Sequence, residues 1–265
     1  ASPTHAGVLW THGDSGTGNW LFAINAEGQL LARVRVRGAV NVDWEDITHD
    51  DQGRLWLGDI GNNYSGRRDL AVHRLPEPDP GDASGDASGD ASGQVEVQLS
   101  VPYHFPDQTR FGDRLADFDA EALFWWRGQL WLLTKHRSDD RTRLYRFPAL
   151  SGEEVALVLV ASFDLGPSLS PGPRKPWTGQ VSAAEVSADG RNLAMLTYEA
   201  VFVFATPESG DGAEMFDEQL ARVAFDQAKT RQIEGLAWVG EELLMINEDR
   251  AVFRIKEPLT RTRYP

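Results

Sequence analysis

The chain reads as an all-β protein, a five-bladed β-propeller, on three observations. A carboxylate on a short apolar strand, followed by a second apolar strand with a polar end, occurs four times. The copies are Asp43-Trp44-Glu45-Asp46-Ile47 with Leu55–Asp59, Asp119–Leu123 with Leu130–Thr134, Ala183–Val186 with Leu193–Thr197, and Ile233–Leu236 with Leu243–Asn247. The glutamates 45, 121, 185 and 234 precede the polar ends by 14, 13, 12 and 13 positions, and near-fixed spacing marks a repeat architecture. Third strands repeat as well, at Leu21–Ile24, Leu144–Phe147, Val201–Phe204 and Val252–Ile255. Turn residues separate short apolar runs throughout, with no sustained helical period. Four-stranded units repeated about an axis are propeller blades.

Five blades are expected within one domain spanning 1–265: residues 7–38, 43–101, 117–163, 181–225 and 232–255. In the first, Leu9–His12 resembles a second strand, Trp20–Ile24 a third, and Leu30–Val36 a fourth whose apolar residues alternate with Arg33, Arg35 and Arg37. Period-two alternation marks a half-exposed strand, so the arginines are expected to be solvated. In the second blade, Leu70–Leu75 is a third strand stopped by Pro76 and Pro78, and Val95–Val101 an outer strand. Between them, residues 81–93 repeat Gly-Asp-Ala-Ser, a flexible acidic loop by composition. The later blades follow the same order, with Met215–Phe225 open to either a strand or a short helix. The first blade lacks an innermost strand and the last an outermost one. Both gaps point to N-terminal closing strands missing from this chain, with a further glutamate expected close to or before Ala1.

Composition narrows the partners. The formal net charge is −14, and binding to a nucleic-acid backbone rests on Lys and Arg neutralising phosphates, so no nucleic acid is expected. The chain has no cysteine, which excludes disulfides, thiolate metal sites and a Cys nucleophile. No apolar run approaches the ~20 residues of a membrane span. A monomer is expected.

The innermost strand of each blade lines the channel, so Glu45, Glu121, Glu185 and Glu234 are expected to form a ring at one mouth. Asp14, Asp59, Asn62, Lys135, Tyr198 and Asn247, at the ends of second strands, belong beside it. Asp43 and Asp119 lie two residues before their glutamates and point the same way. Crowded carboxylates raise one another's pKa unless something compensates. Calcium is one compensator, since it takes six to eight oxygens; ion pairs with Lys135, Arg67 and Arg137 are another. The bland alternative is that each glutamate accepts backbone N–H groups of the neighbouring blade and acts as a staple. Glu45, Asp59, Glu121, Glu185 and Glu234 are the candidate metal ligands. His12, Asp14, Asp43, Asn62, Lys135, Tyr198 and Asn247 are the candidate ligand-binding residues.

The Asp59-Ile60-Gly61-Asn62-Asn63 turn offers oxygens on one blade only. His12, Asp14 and Ser15 also occur once, but their closeness in sequence and the lack of a strand–elbow–helix context argue against a hydrolase triad. Trp10, Trp56 and Trp131 hold equivalent second-strand positions and are expected in the core between blades. Trp44, Trp125 and Trp126 are alternatives for a platform at the mouth. His104 and His136 are expected in loops.

Four motifs carry a resemblance: His12-Gly13-Asp14-Ser15-Gly16, Asp43–Asp46, Asp59–Asn63 followed by Arg67, and Asp119–Leu123. The chain resembles a family of bacterial β-propeller proteins, often exported, that share these motifs (DWED, DIGNN, DAEAL) and have no agreed reaction. The later Glu-Gly-Leu at 234–236 is similar to the wider group with esterase-like phytase and SdiA-regulated propellers. The resemblance implies a propeller and an extracellular or periplasmic location, but no reaction, because fold does not fix function.

The leading expectation is thus a binding propeller whose acidic mouth holds a cation, Ca²⁺, and a small polar ligand. The alternatives are a calcium-dependent hydrolase of phosphate esters or lactones and a structural interaction module.

Overall fold

A computed structural model describes residues 1–81, 93–113, 116–135, 137–166 and 179–259. The Gly-Asp-Ala-Ser loop lies almost wholly outside the described residues, and so does His136. The fold is the expected five-bladed β-propeller, with five sheets and one short helix among the described residues.

Blade 1 contains β1 (Leu9–His12), β2 (Trp20–Ile24) and β3 (Leu30–Arg37). Blade 2 begins with β4 (Trp44–His49), β5 (Leu55–Asp59) and β6 (Ala71–Leu75). The outer strand expected at 95–101 is divided. Its lead, β7 (Gly93–Glu96), crosses to blade 1 and pairs parallel with β3, while β8 (Leu99–His104) pairs antiparallel with β6. Blade 3 comprises β9 (Asp119–Trp126), β10 (Gln129–Lys135) and β11 (Arg141–Arg146). The division recurs here: β12 (Val155–Ala156) joins β8 of blade 2, and β13 (Val158–Asp164) joins β11. Each crossing lead pairs backbone groups that a blade edge would leave open.

Blade 4 is β14 (Val181–Val186), β15 (Asn192–Thr197), β16 (Ala200–Ala205) and β17 (Gln219–Ala224). The segment open to strand or helix is thus a strand, and helix α1 (Gln227–Thr230) follows it. Blade 5 has β18 (Ile233–Val239), β19 (Glu242–Asn247) and β20 (Val252–Ile255), with no fourth strand among the described residues. Nor does any described strand lie inside β1. That strand touches β4 as β10 touches β14 and β15 touches β18, which is the contact of a second strand with the next blade's innermost one.

The innermost strands β4, β9, β14 and β18 stand side by side around the channel. Each has a bulge near one end, where the extra residue is Glu45, Glu121, Ser182 or Glu234. A bulge re-aims the residue it frees, so these four side chains share one position at one mouth. Ser182, not Glu185, is therefore the blade 4 member. Glu185 lies three residues further along its strand, where its carboxylate accepts the Trp238 backbone N–H of blade 5.

The core lies between blades. Trp10 and Trp44 fill the first seam, Trp56 the second, Trp131 with Phe124 the third, and Trp238 the fourth. The expected inter-blade positions of Trp10, Trp56 and Trp131 are those found. Among the described residues the seam between blades 5 and 1 is much smaller, with Leu9, Ile24 and Leu244 buried in it.

Candidate functional site at the acidic mouth

The bulged ends of the inner strands gather most of the expected site residues, and cations neutralise some of them. Lys135 Nζ lies 2.6 Å from Glu121 Oε1 and 5.4 Å from the Tyr198 ring centre. The Tyr198 hydroxyl donates to Glu234 Oε1 at 3.2 Å. Arg67 Nη1 meets Asp59 Oδ1 at 2.8 Å, and Arg137 pairs with Asp119. The three internal ion pairs open to Lys135, Arg67 and Arg137 are therefore all formed.

Other predicted residues are occupied by the backbone. Asp59 also accepts the Asp43 N–H at 3.0 Å. Asn62 donates its amide to Phe118 O at 2.9 Å and accepts the Arg67 N–H at 2.8 Å. Asn247 donates to Thr230 O at 2.9 Å and accepts the Ala251 N–H at 2.8 Å. Such bonds fix turns, and they leave these side chains little capacity for a ligand.

Asp14, Asp43 and Glu45 differ. They come from the blade 1 turn, the lead into blade 2 and the β4 bulge, and each offers an oxygen within 4.8 Å of the others. Among the described residues, the Asp43 and Glu45 carboxylates form no hydrogen bond or ion pair. Gly61 lets them close in, since a Cβ there would run into both carboxylates. Its own N–H donates to the Asp43 carbonyl at 3.1 Å.

The electrostatics match this crowding. Burial pushes the Glu45 carboxyl well above its usual range, and Glu121 and Asp43 add to the rise while Lys135 opposes it. Burial raises Asp43 too, with Asp119 and Asp14 contributing. Glu121 is pushed up to about 8 by burial against the pull of Lys135. Glu234 rises to about 6 through burial and the nearby Glu248. The carboxylate beside Lys135 holds its ammonium charged, well above the ordinary lysine value.

His12 sits next to this group. Its ring meets Trp44 edge-on at 6.2 Å, Nδ1 lies 3.2 Å from Gly13 O, and burial lowers its pKa. Trp44 is itself buried and offers no open platform. Ser15 donates its backbone N–H to Asp14, forming the turn and no triad. Trp125 stacks on Trp56 and, with Glu185 and Trp238, lines an open cavity of about 1470 Å³ at the far ends of the inner strands.

Sequence reasoning missed Asp46. It is buried and accepts the Leu123 N–H of blade 3 and its neighbour Ile47's N–H, both at 2.8 Å. Asp46 and Glu185 thus act as inter-blade staples, each accepting a backbone N–H of the next blade. Asp46's place beside Glu45, on the opposite face of one strand, was the available signal.

No protein-family model matches the chain, and no curated protein does. Among solved structures it is similar to the PQQ-bound form of aldose sugar dehydrogenase from Streptomyces coelicolor, at 11% identity over 96% of this chain and 77% of that one, with a TM-score of 0.44. It is also similar to the Cps50 (Swd1) β-propeller domain of Myceliophteria thermophila, at 13% identity over 94% and 66%, TM-score 0.39. A third is the Dos1 propeller, at 12% identity over 97% and 66%, TM-score 0.37. The chain spans less than two thirds of the length of several structures it matches. With these scores below 0.5, the fold rests on the sheets themselves.

Proposed function

We propose that the mouth of this propeller binds a divalent cation, Ca²⁺, between Asp14, Asp43 and Glu45, and there presents it to a small polar ligand. The carrying observation is the convergence of three carboxylates from separate segments, two of which form no ion pair or hydrogen bond among the described residues. Like charges held this way need a compensator, and a hard cation with oxygen ligands supplies one. Water and the ligand would complete the coordination. Glu121, Asp59 and Asp119 already have cationic partners and frame the site. The motif resemblance to often-exported bacterial propellers supports reading an extracellular or periplasmic setting for this site.

A second reading is a calcium-dependent hydrolase of phosphate esters or lactones. Glu234 favours it: a carboxyl at about 6, bonded to a tyrosine hydroxyl, is poised near the pH where a general base works best.

Thermal unfolding in millimolar CaCl₂ tests the cation. A ligand held at about 100 times its Kd stabilises the native state by ~2.7 kcal/mol, or ~5–11 °C for a chain of about this size. The rise should be absent in Glu45→Gln and in Gly61→Ala, whose added methyl drives the carboxylates apart, and smaller with Mg²⁺. A shift below about 1 °C in the wild type would sink the cation reading. Hydrolysis of a phosphate-ester and lactone panel, lost in Glu234→Gln, decides for the second reading; inactivity on the whole panel leaves the binder.

A further inference from the structure

The seam between blades 1 and 2 opens beside the mouth into a groove of about 360 Å³. One wall is the connection from β3 to β4, with Ala39, Val40 and Val42; the other belongs to blade 2, with Asp59, Ala71 and His73. Ala71 and His73 share a face of β6 with Leu75, which is buried in the seam below them, because residues two apart on a strand point the same way. Val40 is 68% exposed and Val42 43%, so two aliphatic side chains stand bare on the rim.

Polar residues hold this wall in place. Asn41, between the two valines, donates its amide to Gly13 O at 3.0 Å and accepts the Trp44 N–H at 3.0 Å. Asn19 accepts the Asn41 N–H at 2.7 Å and donates its amide to Ala39 O at 2.7 Å. These bonds fix the connection against blade 1 and keep the valines from folding down onto Ala71. The groove also has one polar atom to spare. His73 is only 7% exposed; its Nδ1 lies 2.9 Å from Ser100 Oγ, and Nε2 has no partner among the described residues. Burial lowers its pKa and so keeps the imidazole neutral. A preformed apolar hollow with a few placed polar groups is the usual make-up of a small-molecule site. This one adjoins the three mouth carboxylates: Val42 precedes Asp43, and Asp59 in the groove accepts the Asp43 N–H.

We infer that this groove holds the short apolar chain of a small carboxylate ligand whose head meets the cation at Asp14, Asp43 and Glu45. The inference rests on the cation reading and names the class of ligand for it. The groove itself offers an anionic head nothing, since Arg67 is committed to Asp59 and Asp69, so the head goes to the cation and the chain to the valines. Three carboxylates already exceed the charge of one divalent ion. A singly charged carboxylate therefore adds less repulsion than a phosphate, which carries close to two charges. His73 Nε2 supplies one hydrogen bond to a hydroxyl toward the far end of the chain.

The test reads Kd by ligand-observed NMR for acetate, butyrate and hexanoate with the whole chain in millimolar CaCl₂. Affinity should rise about fivefold to fifteenfold at each step, since a buried methylene is worth roughly fourfold, and should be lost on chelating the calcium. Ala71→Leu, which fills the groove, should flatten the series, and Val40→Ser on the exposed rim should lessen its slope. Both variants should keep the calcium-induced rise in Tm. 6-Hydroxyhexanoate should match hexanoate in the wild type and bind at least fivefold more weakly than hexanoate in His73→Leu. An affinity that ignores chain length, or climbs equally in Ala71→Leu and Val40→Ser, would overturn the groove, and a persisting calcium-induced rise in Tm would leave the cation reading standing. Hexyl phosphate binding more tightly than hexanoate would overturn the carboxylate head. If calcium raises no Tm in the wild type, the cation reading fails by itself, and ethanol, butanol and hexanol then test the groove alone. Their affinities should climb with length and stop climbing in Ala71→Leu; a flat alcohol series would overturn the groove as well.

Discussion

Replacing Lys135 by Met should destabilise the chain by about 3–5 kcal/mol at pH 8.5–9, because it leaves a buried charge uncompensated. Both partners of this pair are buried, and Lys135 Nζ is 2.6 Å from Glu121. Asp119 and Glu234 add negative charge around Glu121, and Lys135 is the cation set against them. Arg67 and Arg137 are committed to Asp59 and Asp119. Without the ammonium, Glu121 must either stay ionised in a dry, negative site or take up a proton. The loss should therefore shrink as the pH falls toward 6, where protonation is easy. Adding Glu121→Gln to Lys135→Met should recover much of the stability at high pH, since the double variant keeps shape without charge. Denaturant unfolding of the two single variants and the double at pH 6 and 9 measures this. An equal loss at both pH values would mean that Lys135 acts through packing of its stem under Tyr198 instead.

How much of this was legible in the sequence depends on what each pattern encodes. Blade number and strand order were legible because inner, second and third strands repeat their apolar alternation, and alternation reports burial directly. The ion pairs at the mouth were legible as alternatives because Lys135, Arg67 and Arg137 follow the strand ends where the carboxylates fall. Register was not. Glu185 stands 12 positions before Thr197, close to the spacing in the other blades, yet the residue at the mouth is Ser182, 15 positions before it. The turn between β14 and β15 is longer than the two-residue turn between β9 and β10, so equal spacing does not mean equal depth along the channel. The crossing of β7 and β12 to neighbouring blades was hidden for a different reason. An extended segment has the same period whichever edge it joins, and only tertiary packing selects the edge. The Asp14–Asp43–Glu45 group lay between these cases. Each member was singled out, but their convergence needs Gly61, whose value lies in a missing Cβ that no periodicity reports.

The unliganded chain should be more stable near pH 5 than at pH 8.5, the reverse of a protein dominated by depressed carboxylates. Glu121 and Glu234 are raised to about 8 and about 6, and Glu45 and the buried Asp46 move the same way. Between the unfolded carboxylate range near 4.5 and these folded values, the native state keeps protons that the unfolded chain releases. Stability then falls as pH rises; the contribution is fully present below about 4.5 and disappears on passing 6 and then 8. Below pH 4 the slope reverses. Asp50 and Asp117 are held low by N–H and hydroxyl donors despite burial, and protonating them costs those bonds. One unit of pKa shift corresponds to about 1.4 kcal/mol, but neighbouring acids titrate as a group, so roughly 2–3 kcal/mol is expected between pH 5 and 8.5. That is a fall of ~4–12 °C in Tm at this chain length. Glu121→Gln should remove the upper part of the fall and leave the part near 6. Calcium at millimolar concentration should flatten the curve from above, because the cation stabilises ionised Glu45 and Asp43 and its affinity grows as protons leave. A Tm that rises steadily from pH 5 to 8.5 in the absence of metal would show that the mouth carboxylates are solvated, and would remove the electrostatic ground for a cation there.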